Sequence, residues 1–273
     1  MNVGKVMEQA IDFLEDSRQL YNLLKEKKNE DYLLKTQFKN WTVNDVVGHL
    51  HFFNHAANLS LISPKKFENF YTPISDALRL GKNMLEIHRS WLDGLSGVAL
   101  LTSWWQKVEQ VTENYYKCNP KTRIEWVGPE MSAKSSISAR QMETWAHGQE
   151  VFDVFGETRV EHDRIKNIVH LGVITFNWTF TNRNLSVPVK APHVRLRSPT
   201  GLIWCWNEKS DISKIEGTAV DFARVVTQTR NVLDTRLKTT GKIAALWLSY
   251  AQCFAGPPED PPLPGSRTKN FSQ

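Results

Sequence analysis

The segment from Ser138 to Gly156, SARQMETWAHGQEVFDVFG, constrains the fold more than any other part of the chain. It has the pattern of a helix that ends at Gly156. Glu143 and His147 are four residues apart, so a helix places them on one face about one turn from each other. A carboxylate and an imidazole held in this way can bind one divalent ion, most often Zn²⁺. A solvated ion pair on the helix surface is the alternative interpretation.

The neighbours of this pair favour the metal interpretation. On the same face, Arg140 lies about one turn before the pair and Glu150 about one turn after it. Trp145, Phe152 and Phe155 lie toward the other side. A polar, ionisable stripe flanked by aromatic side chains predicts a helix that is buried on several sides, with its charged groups facing a cavity.

A third ligand must come from another element, and the best candidate is His49 in the segment WTVNDVVGHL. Thr42 and Asp45 have the spacing of an approximate capping box, which predicts that a helix begins there. With about 100° per residue, His49 borders the apolar stripe of this helix. Helical bundles build metal sites from inward-facing side chains on neighbouring helices, so His49 is placed to meet Glu143 and His147.

Two further histidines lie on the same predicted helix. His51 and His55 are also four residues apart, on the side away from the apolar stripe. As a His-x₃-His pair they could bind a metal themselves. A pair on the protein surface is the favoured interpretation.

Length and charge limit the number of domains and the kind of partner that this chain can have. A chain of 273 residues exceeds one typical domain and favours two, and 41% hydrophobic residues suffice for both cores. Residues 1–160 hold 19 Lys/Arg against 20 Asp/Glu, whereas residues 161–273 hold 15 against 9. The basic half suits an anionic ligand, but in the absence of a dense Lys/Arg run we predict no nucleic-acid partner.

Cysteine usage and hydropathy predict a cytoplasmic protein with no membrane partner. Cys118, Cys205 and Cys253 have neither paired nor metal-type spacing. The charged N-terminus lacks the core of a signal peptide, and no apolar run reaches the ~18 residues of a membrane span. The expected oligomeric state is a monomer or a homodimer.

Periodicity divides the chain into two domains and a tail. Residues 1–160 are predicted to form a helical bundle, residues 161–260 an α/β domain, and residues 261–273 a flexible tail rich in Pro and polar residues. In the first domain we expect helices over residues 3–24, 42–61, 74–95, 98–118 and 138–156, with a loop at Pro64–Pro73. In the second we expect a helix over 163–182, strands at 194–197 and 202–206, a further run at 212–217, and helices over 217–229 and 242–254.

Two segments resemble the metal-binding motifs of DinB-like and mycothiol-dependent maleylpyruvate isomerase domains. The segment Trp41-Thr-Val-Asn-Asp-Val-Val-Gly-His49-Leu is similar to the family's W-x-x-x-D-v-v-x-H-l. The segment from Arg140, RQMETWAHGQE, is similar to its E-x₃-H-x₂-D. The resemblance implies that His49, Glu143 and His147 are the three protein ligands of one ion. Glu150 stands where the family has Asp, and the resemblance implies that it acts on bound water or substrate.

The resemblance covers about residues 5–258 and implies the fold class. We expect an α+β protein with an N-terminal DinB-like four-helix bundle and a smaller C-terminal α/β, sterol-carrier-like domain. In the resembled isomerases an arginine of the second domain reaches toward the metal cleft. Here Arg230 takes that place, and Arg224 is the fallback candidate. A guanidinium suits a carboxylate because it offers two parallel donors in one plane, whereas the alternative is a solvated Arg230 near a helix C-terminus.

The implied chemistry is that of a metal-dependent enzyme. Three protein ligands leave a position open, where a divalent ion, most often Zn²⁺, can hold a low-molecular-weight thiol as thiolate, activate water or polarise a carbonyl. The leading hypothesis is a thiol-dependent isomerase or S-transferase acting on a small, anionic molecule, with Glu150 and Arg230 as catalytic residues. The alternatives are a metal-assisted hydrolase or lyase with Glu150 as general base, and a non-catalytic protein that binds a metal or a small ligand.

Overall fold

The computed structural model describes residues 6–127 and 130–267, which form two compact units divided after residue 157. The elements of the first unit are α1 (Glu8–Leu24), α2 (Val43–Ile62), α3 (Pro64–Arg79), α4 (Met84–Leu92), α5 (Gly97–Tyr116), β1 (Arg123–Ile124), β2 (Met131–Ser132) and α6 (Ala133–Val154). Helix α1 packs against α5 and α6, and α2 packs against the same two helices. Four helices therefore enclose one core, and β1 and β2 form a short antiparallel pair.

The apolar faces of these helices form two clusters. Trp104 and Val108 of α5, four residues apart on one face, are fully buried in the main core. Helices α3 and α4 pack against α2, where Phe52, Ile74 and Ile87 form a smaller cluster. Because helices cover it on both sides, α2 is buried over most of its circumference.

The first turn of α2 is held by the predicted capping box. Asp45 N donates to Thr42 Oγ1 at 3.1 Å, and Thr42 N donates to the Asp45 carboxylate at 2.9 Å. Arg89 of α4 donates two hydrogen bonds to the same carboxylate, each 2.8 Å long. Burial alone would raise the pKa of Asp45, but the hydrogen bonds from Arg89 and Thr42 lower it below its usual value. This network fixes the backbone one turn before His49.

The loop predicted at Pro64–Pro73 is wrong, because these residues belong to α3. Ser63 caps the helix, and Pro64 takes the first helical position. A backbone N–H at that position would have no intrahelical acceptor, so proline loses no hydrogen bond there. The single helix predicted over residues 74–95 is divided into α3 and α4. Gly81 lies between them with φ of +87°, a conformation that ends a helix and suits glycine.

The surface position favoured for His51 and His55 is also wrong, because α3 and α4 cover that side of α2. His51 is buried, with its ring centroid 5.2 Å from that of Trp91. His55 is half-buried, with its ring 5.0 Å from that of Phe70. Burial and then the charge of Lys107 lower the pKa of both histidines to about 4.

The second unit is a small mixed sheet with helices. Its elements are α7 (Lys166–Ile174), α8 (Phe176–Thr181), β3 (His193–Arg197), β4 (Ile203–Trp206), β5 (Lys214–Thr218), α9 (Ala219–Val226), β6 (Lys238–Thr240) and α10 (Lys242–Tyr250). The strand order is β4-β3-β5-β6, in which β3 and β5 are parallel and the other pairs antiparallel. Trp247 of α10 is fully buried, and its ring lies 5.0 Å from that of Phe176 and 5.7 Å from that of Phe222.

Two features of this unit differ from the prediction. The helix expected over residues 163–182 is divided at Thr175 into α7 and α8. Strand β6 was not predicted, because all three of its residues are exposed and have no alternating apolar pattern. The strands predicted at 194–197 and 202–206 are confirmed as β3 and β4.

Part of the predicted tail is bonded to the second unit. Asn231 Nδ2 donates to Pro262 O at 2.8 Å, and Gly265 N donates to Asp234 Oδ1 at 2.9 Å. Residues 268–273 of the tail lie outside the described residues.

Across the described ranges, no helix combines the length and apolar character needed to cross a membrane. The architecture is α+β, with a helical N-terminal unit followed by a small mixed sheet, as predicted.

Candidate metal centre

Helices α2 and α6 pack against each other in the bundle and bring the three predicted ligands together. His49 Nε2 lies 3.1 Å from Glu143 Oε2, and His147 Nε2 lies 3.4 Å from the same oxygen. One ligand atom from each residue lies within 4.8 Å of the other two. The four-residue spacing on α6 positions Glu143 and His147, and the pairing of the two helices adds His49.

These spacings fit a small divalent ion. Four ligands at about 2.1 Å from a tetrahedral Zn²⁺ lie about 3.4 Å from one another. The two measured separations, 3.1 Å and 3.4 Å, are close to that value. Two imidazoles and one carboxylate form a donor set that zinc takes in sites with an open position. The spacing of the three side chains therefore suits one Zn²⁺ ion.

The ionisation of Glu143 and His49 suits metal binding. Burial alone would raise the pKa of Glu143, but hydrogen bonds from His147 and His49, together with the charge of Arg140, lower it well below its usual range. Burial lowers the pKa of His49 to about 4, because its charged form loses contact with water. At neutral pH Glu143 is therefore ionised and His49 neutral, which are the forms that bind a metal.

Aromatic rings surround the ligands. Trp41 stacks on His147, with 5.9 Å between ring centroids and 8° between planes, and Phe38 meets His147 edge-on at 5.1 Å. Phe53 lies 4.9 Å from the His49 ring. These contacts hold both imidazoles in one orientation and lower the local dielectric, which strengthens electrostatic interactions at the centre.

His88 of α4 is the residue of this site that sequence analysis missed. Its ring lies 5.1 Å from that of His49, and it is only 1% exposed. Within the described part of the chain neither of its ring nitrogens has a hydrogen-bond partner. Burial is the largest cause that lowers the pKa of His88, and electrostatic interactions with His49 and His147 add to it. The pKa of His88 falls to about 2, so the ring is neutral. No spacing in the sequence singles out His88, because the packing of α4 against α2 brings it to the site.

Glu150 lies on the same helix as two of the ligands. It follows Glu143 by seven residues and is 2% exposed. It does not belong to the cluster formed by His49, Glu143 and His147. A role for Glu150 toward water or substrate stays a prediction.

The arginines predicted for the far wall of the site belong to the second unit. Arg230 follows α9, and its Nη1 donates to the Thr229 carbonyl at 2.8 Å. Arg224 Nη1 lies 3.6 Å from Asp221 Oδ1 on the same helix. That either guanidinium faces the metal centre stays a prediction.

Sequence comparison identifies relatives along most of the chain. The family model described as Mycothiol maleylpyruvate isomerase N-terminal domain matches residues 13–152. Two proteins of Mycobacterium tuberculosis, Uncharacterized protein MT0041 from strain CDC 1551 and Uncharacterized protein Rv0036c from strain H37Rv, are each 34% identical over 218 residues. Each alignment covers 80% of this chain and 84% of the relative.

Structural comparison extends the likeness beyond the bundle. The crystal structures of the mycothiol-dependent maleylpyruvate isomerase and of a histidine-to-alanine mutant both match with a TM-score of 0.52 at 12% identity. Each match covers 80% of this chain and 87% of the other. At this identity the likeness concerns the fold. The family match spans half of the sequence, including all three clustered ligands, and the chain belongs to the mycothiol maleylpyruvate isomerase N-terminal domain family.

Proposed function

We propose that the chain is a metal-dependent enzyme that uses a low-molecular-weight thiol to isomerise a small molecule or to transfer a group on it. The observation that carries the proposal is the convergence of His49, Glu143 and His147. The structural relative is named for its dependence on mycothiol, which supports a thiol as the co-substrate. A His/His/Glu donor set also argues for a catalytic ion, because structural zinc sites are usually closed and rich in cysteine.

Each side chain has a defined part in this proposal. His49, Glu143 and His147 would hold one Zn²⁺ through two imidazole nitrogens and one carboxylate oxygen. When bound, such an ion supplies the charge that keeps a thiol ionised at neutral pH. Trp41 and Phe53 border the ligands and limit the entry of water. Arg230 orients an anionic substrate through two parallel donors.

The buried carboxylate of Glu150 supports a second candidate function. A buried carboxylate on the ligand-bearing helix is suited to take a proton from the substrate or from water. If the acceptor is water, the reaction becomes a metal-assisted hydrolysis with Glu150 as general base. The two functions differ in whether turnover needs a thiol.

The proposal includes a cytoplasmic location, because thiols are kept reduced in the cytosol. It also includes a monomer or homodimer as the functional unit. No nucleic-acid partner is proposed.

A thiol screen tests the proposal. The zinc-loaded protein is mixed with mycothiol, bacillithiol or glutathione and with unsaturated, carboxylate-bearing electrophiles. We expect turnover only when both thiol and metal are present, with complete loss after chelation and recovery on addition of Zn²⁺. Metal-dependent turnover without thiol would instead support the hydrolase, and a bound ion without any turnover would support a non-catalytic protein.

The role of Arg230 is tested in the same assay. Arg230→Lys keeps the charge but loses the planar pair of donors, so we expect KM for the electrophile to rise about tenfold with unchanged zinc content. Arg224→Lys is the matched variant, because Arg224 lies in the last turn of α9, six residues before Arg230. If only Arg224→Lys raises KM, the role belongs to Arg224, and unchanged KM in both variants would remove the second unit from substrate binding.

A further inference from the structure

Arg140 is a buried cation whose hydrogen-bonding capacity is largely unused. It lies on α6 one turn before Glu143 and is only 4% exposed. Among the described residues, its Nε and Nη1 have no hydrogen-bond partner. Buried charges are normally paired and buried donors bonded, so such a group calls for a partner that comes from outside the chain.

The guanidinium is held by aromatic rings. Its central carbon lies 5.4 Å from the centroid of Phe53 and 5.6 Å from that of Trp126. Cation–π attraction of this kind holds the cation but does not consume its N–H donors. The two rings therefore fix the position of Arg140 while leaving the donors for another ligand.

The same contacts place Arg140 beside the candidate metal centre. Phe53, which lies against the guanidinium, also lies 4.9 Å from the ring of His49. The charge of Arg140 acts on Glu143, one of the causes that lower the pKa of that carboxyl. All of these residues belong to the first unit, so this arrangement is complete within the helical bundle.

We propose that Arg140 binds a carboxylate of the substrate, next to the ion held by His49, Glu143 and His147. A guanidinium presents two coplanar donors that match the two oxygens of a carboxylate. Phe53 and Trp126 favour a small organic acid with an apolar or unsaturated part, which packs on rings, over a phosphate. The inference rests on the proposed function and assigns the residue that binds the carboxylate of its substrate.

Titration with maleate tests this site without turnover. Calorimetry on the zinc-loaded protein should show that Arg140→Gln weakens maleate binding about tenfold or more, because the bidentate pair is lost. Arg140→Lys should keep part of the affinity. The matched control is Arg79→Gln, which removes an exposed arginine of α3. This variant should bind maleate with the same affinity as the wild-type protein. Zinc should stay at one ion per chain in all variants.

The thermal stability of the ligand-free protein provides a second measurement. A buried guanidinium with unused donors opposes folding, so Arg140→Met should keep or raise the thermal midpoint of the ligand-free protein while losing maleate binding. A lowered midpoint with unchanged maleate affinity would show that Arg140 is only structural and would overturn the inference. Equal affinity of the original protein for inorganic phosphate and for maleate would overturn the assignment to carboxylates.

The failure of this inference can be told from the failure of the proposed function. Unchanged maleate affinity in Arg140→Gln with one bound zinc rejects the carboxylate site and leaves the metal centre intact. Loss of zinc from the original protein rejects the metal centre. In that case a maleate affinity that still depends on Arg140 in metal-free protein supports the anion site alone.

Discussion

Replacing His147 with Ala is expected to abolish stoichiometric zinc binding. The substitution removes one of three ligand atoms that lie within 4.8 Å of one another. Loss of a residue that only supports a ligand already weakens metal binding about 10–100-fold, so loss of a ligand should weaken it at least 100-fold. Metal analysis after dialysis, followed by competition with a chelator of known affinity, measures the effect.

The matched control for this experiment is His55→Ala. His55 is a half-buried histidine of α2 that packs against Phe70 and lies outside the three-residue cluster. We expect this variant to bind one zinc per chain with unchanged affinity. If zinc is lost from His55→Ala and retained by His147→Ala, the ion belongs to the His51–His55 pair on the other side of α2.

Replacing Asp45 with Ala is expected to produce the largest loss of stability among the variants considered. The carboxylate is 5% exposed, caps the first turn of α2 and accepts two hydrogen bonds from Arg89. The side chain of Arg89 is 60% exposed and regains water, so the loss falls below that of a fully buried pair. We expect the free energy of unfolding to fall by about 2–3 kcal/mol, from the lost cap and the lost charged hydrogen bonds.

Asp76→Ala is the matched control for this variant, because it removes an exposed pair with Arg79 within α3. Its effect should stay within about 0.5 kcal/mol. Urea denaturation of metal-free protein compares the two. We also expect weaker zinc binding in Asp45→Ala, because His49 lies one turn beyond the frayed cap. Equal free energies of unfolding in the two variants would contradict the stabilising role of the hydrogen bonds among Thr42, Asp45 and Arg89.

The elements that carry the ligands could be predicted because their signals are local. The capping box of Thr42 and Asp45 depends on residues three apart, and it marks the start of α2. The stop at Gly156, with φ of +68°, follows from the same kind of short-range chemistry at the end of α6. The pairing of Glu143 with His147 needs only helical geometry.

Other features could not be predicted because they depend on tertiary packing. Pro64 indicates a break in a sequence pattern, yet it is equally suited to the first turn of a helix, and α3 begins there. The burial of His51 follows from the covering by α3 and α4, which no periodicity within α2 reveals. His88 reaches the site for the same reason.

The spacing of the sequence places Arg140 on the polar face of α6 but indicates no role for it. The face of a helix can be derived from spacing alone. Whether a cation on that face meets a carboxylate, water or only aromatic rings depends here on Phe53 and Trp126, which both lie outside α6. The unused donors of Arg140 therefore became apparent only from the structure.

A zinc-edge anomalous map from crystals of the zinc-loaded protein shows directly whether His49, Glu143 and His147 bind one ion. We expect one strong peak between α2 and α6, with His49 Nε2, a Glu143 carboxylate oxygen and His147 Nε2 each about 2.0–2.2 Å away. His51, His55 and His88 should lie outside the coordination sphere. A peak bound by His51 and His55, or crystals of fully loaded protein with no peak at the three ligands, would contradict this expectation.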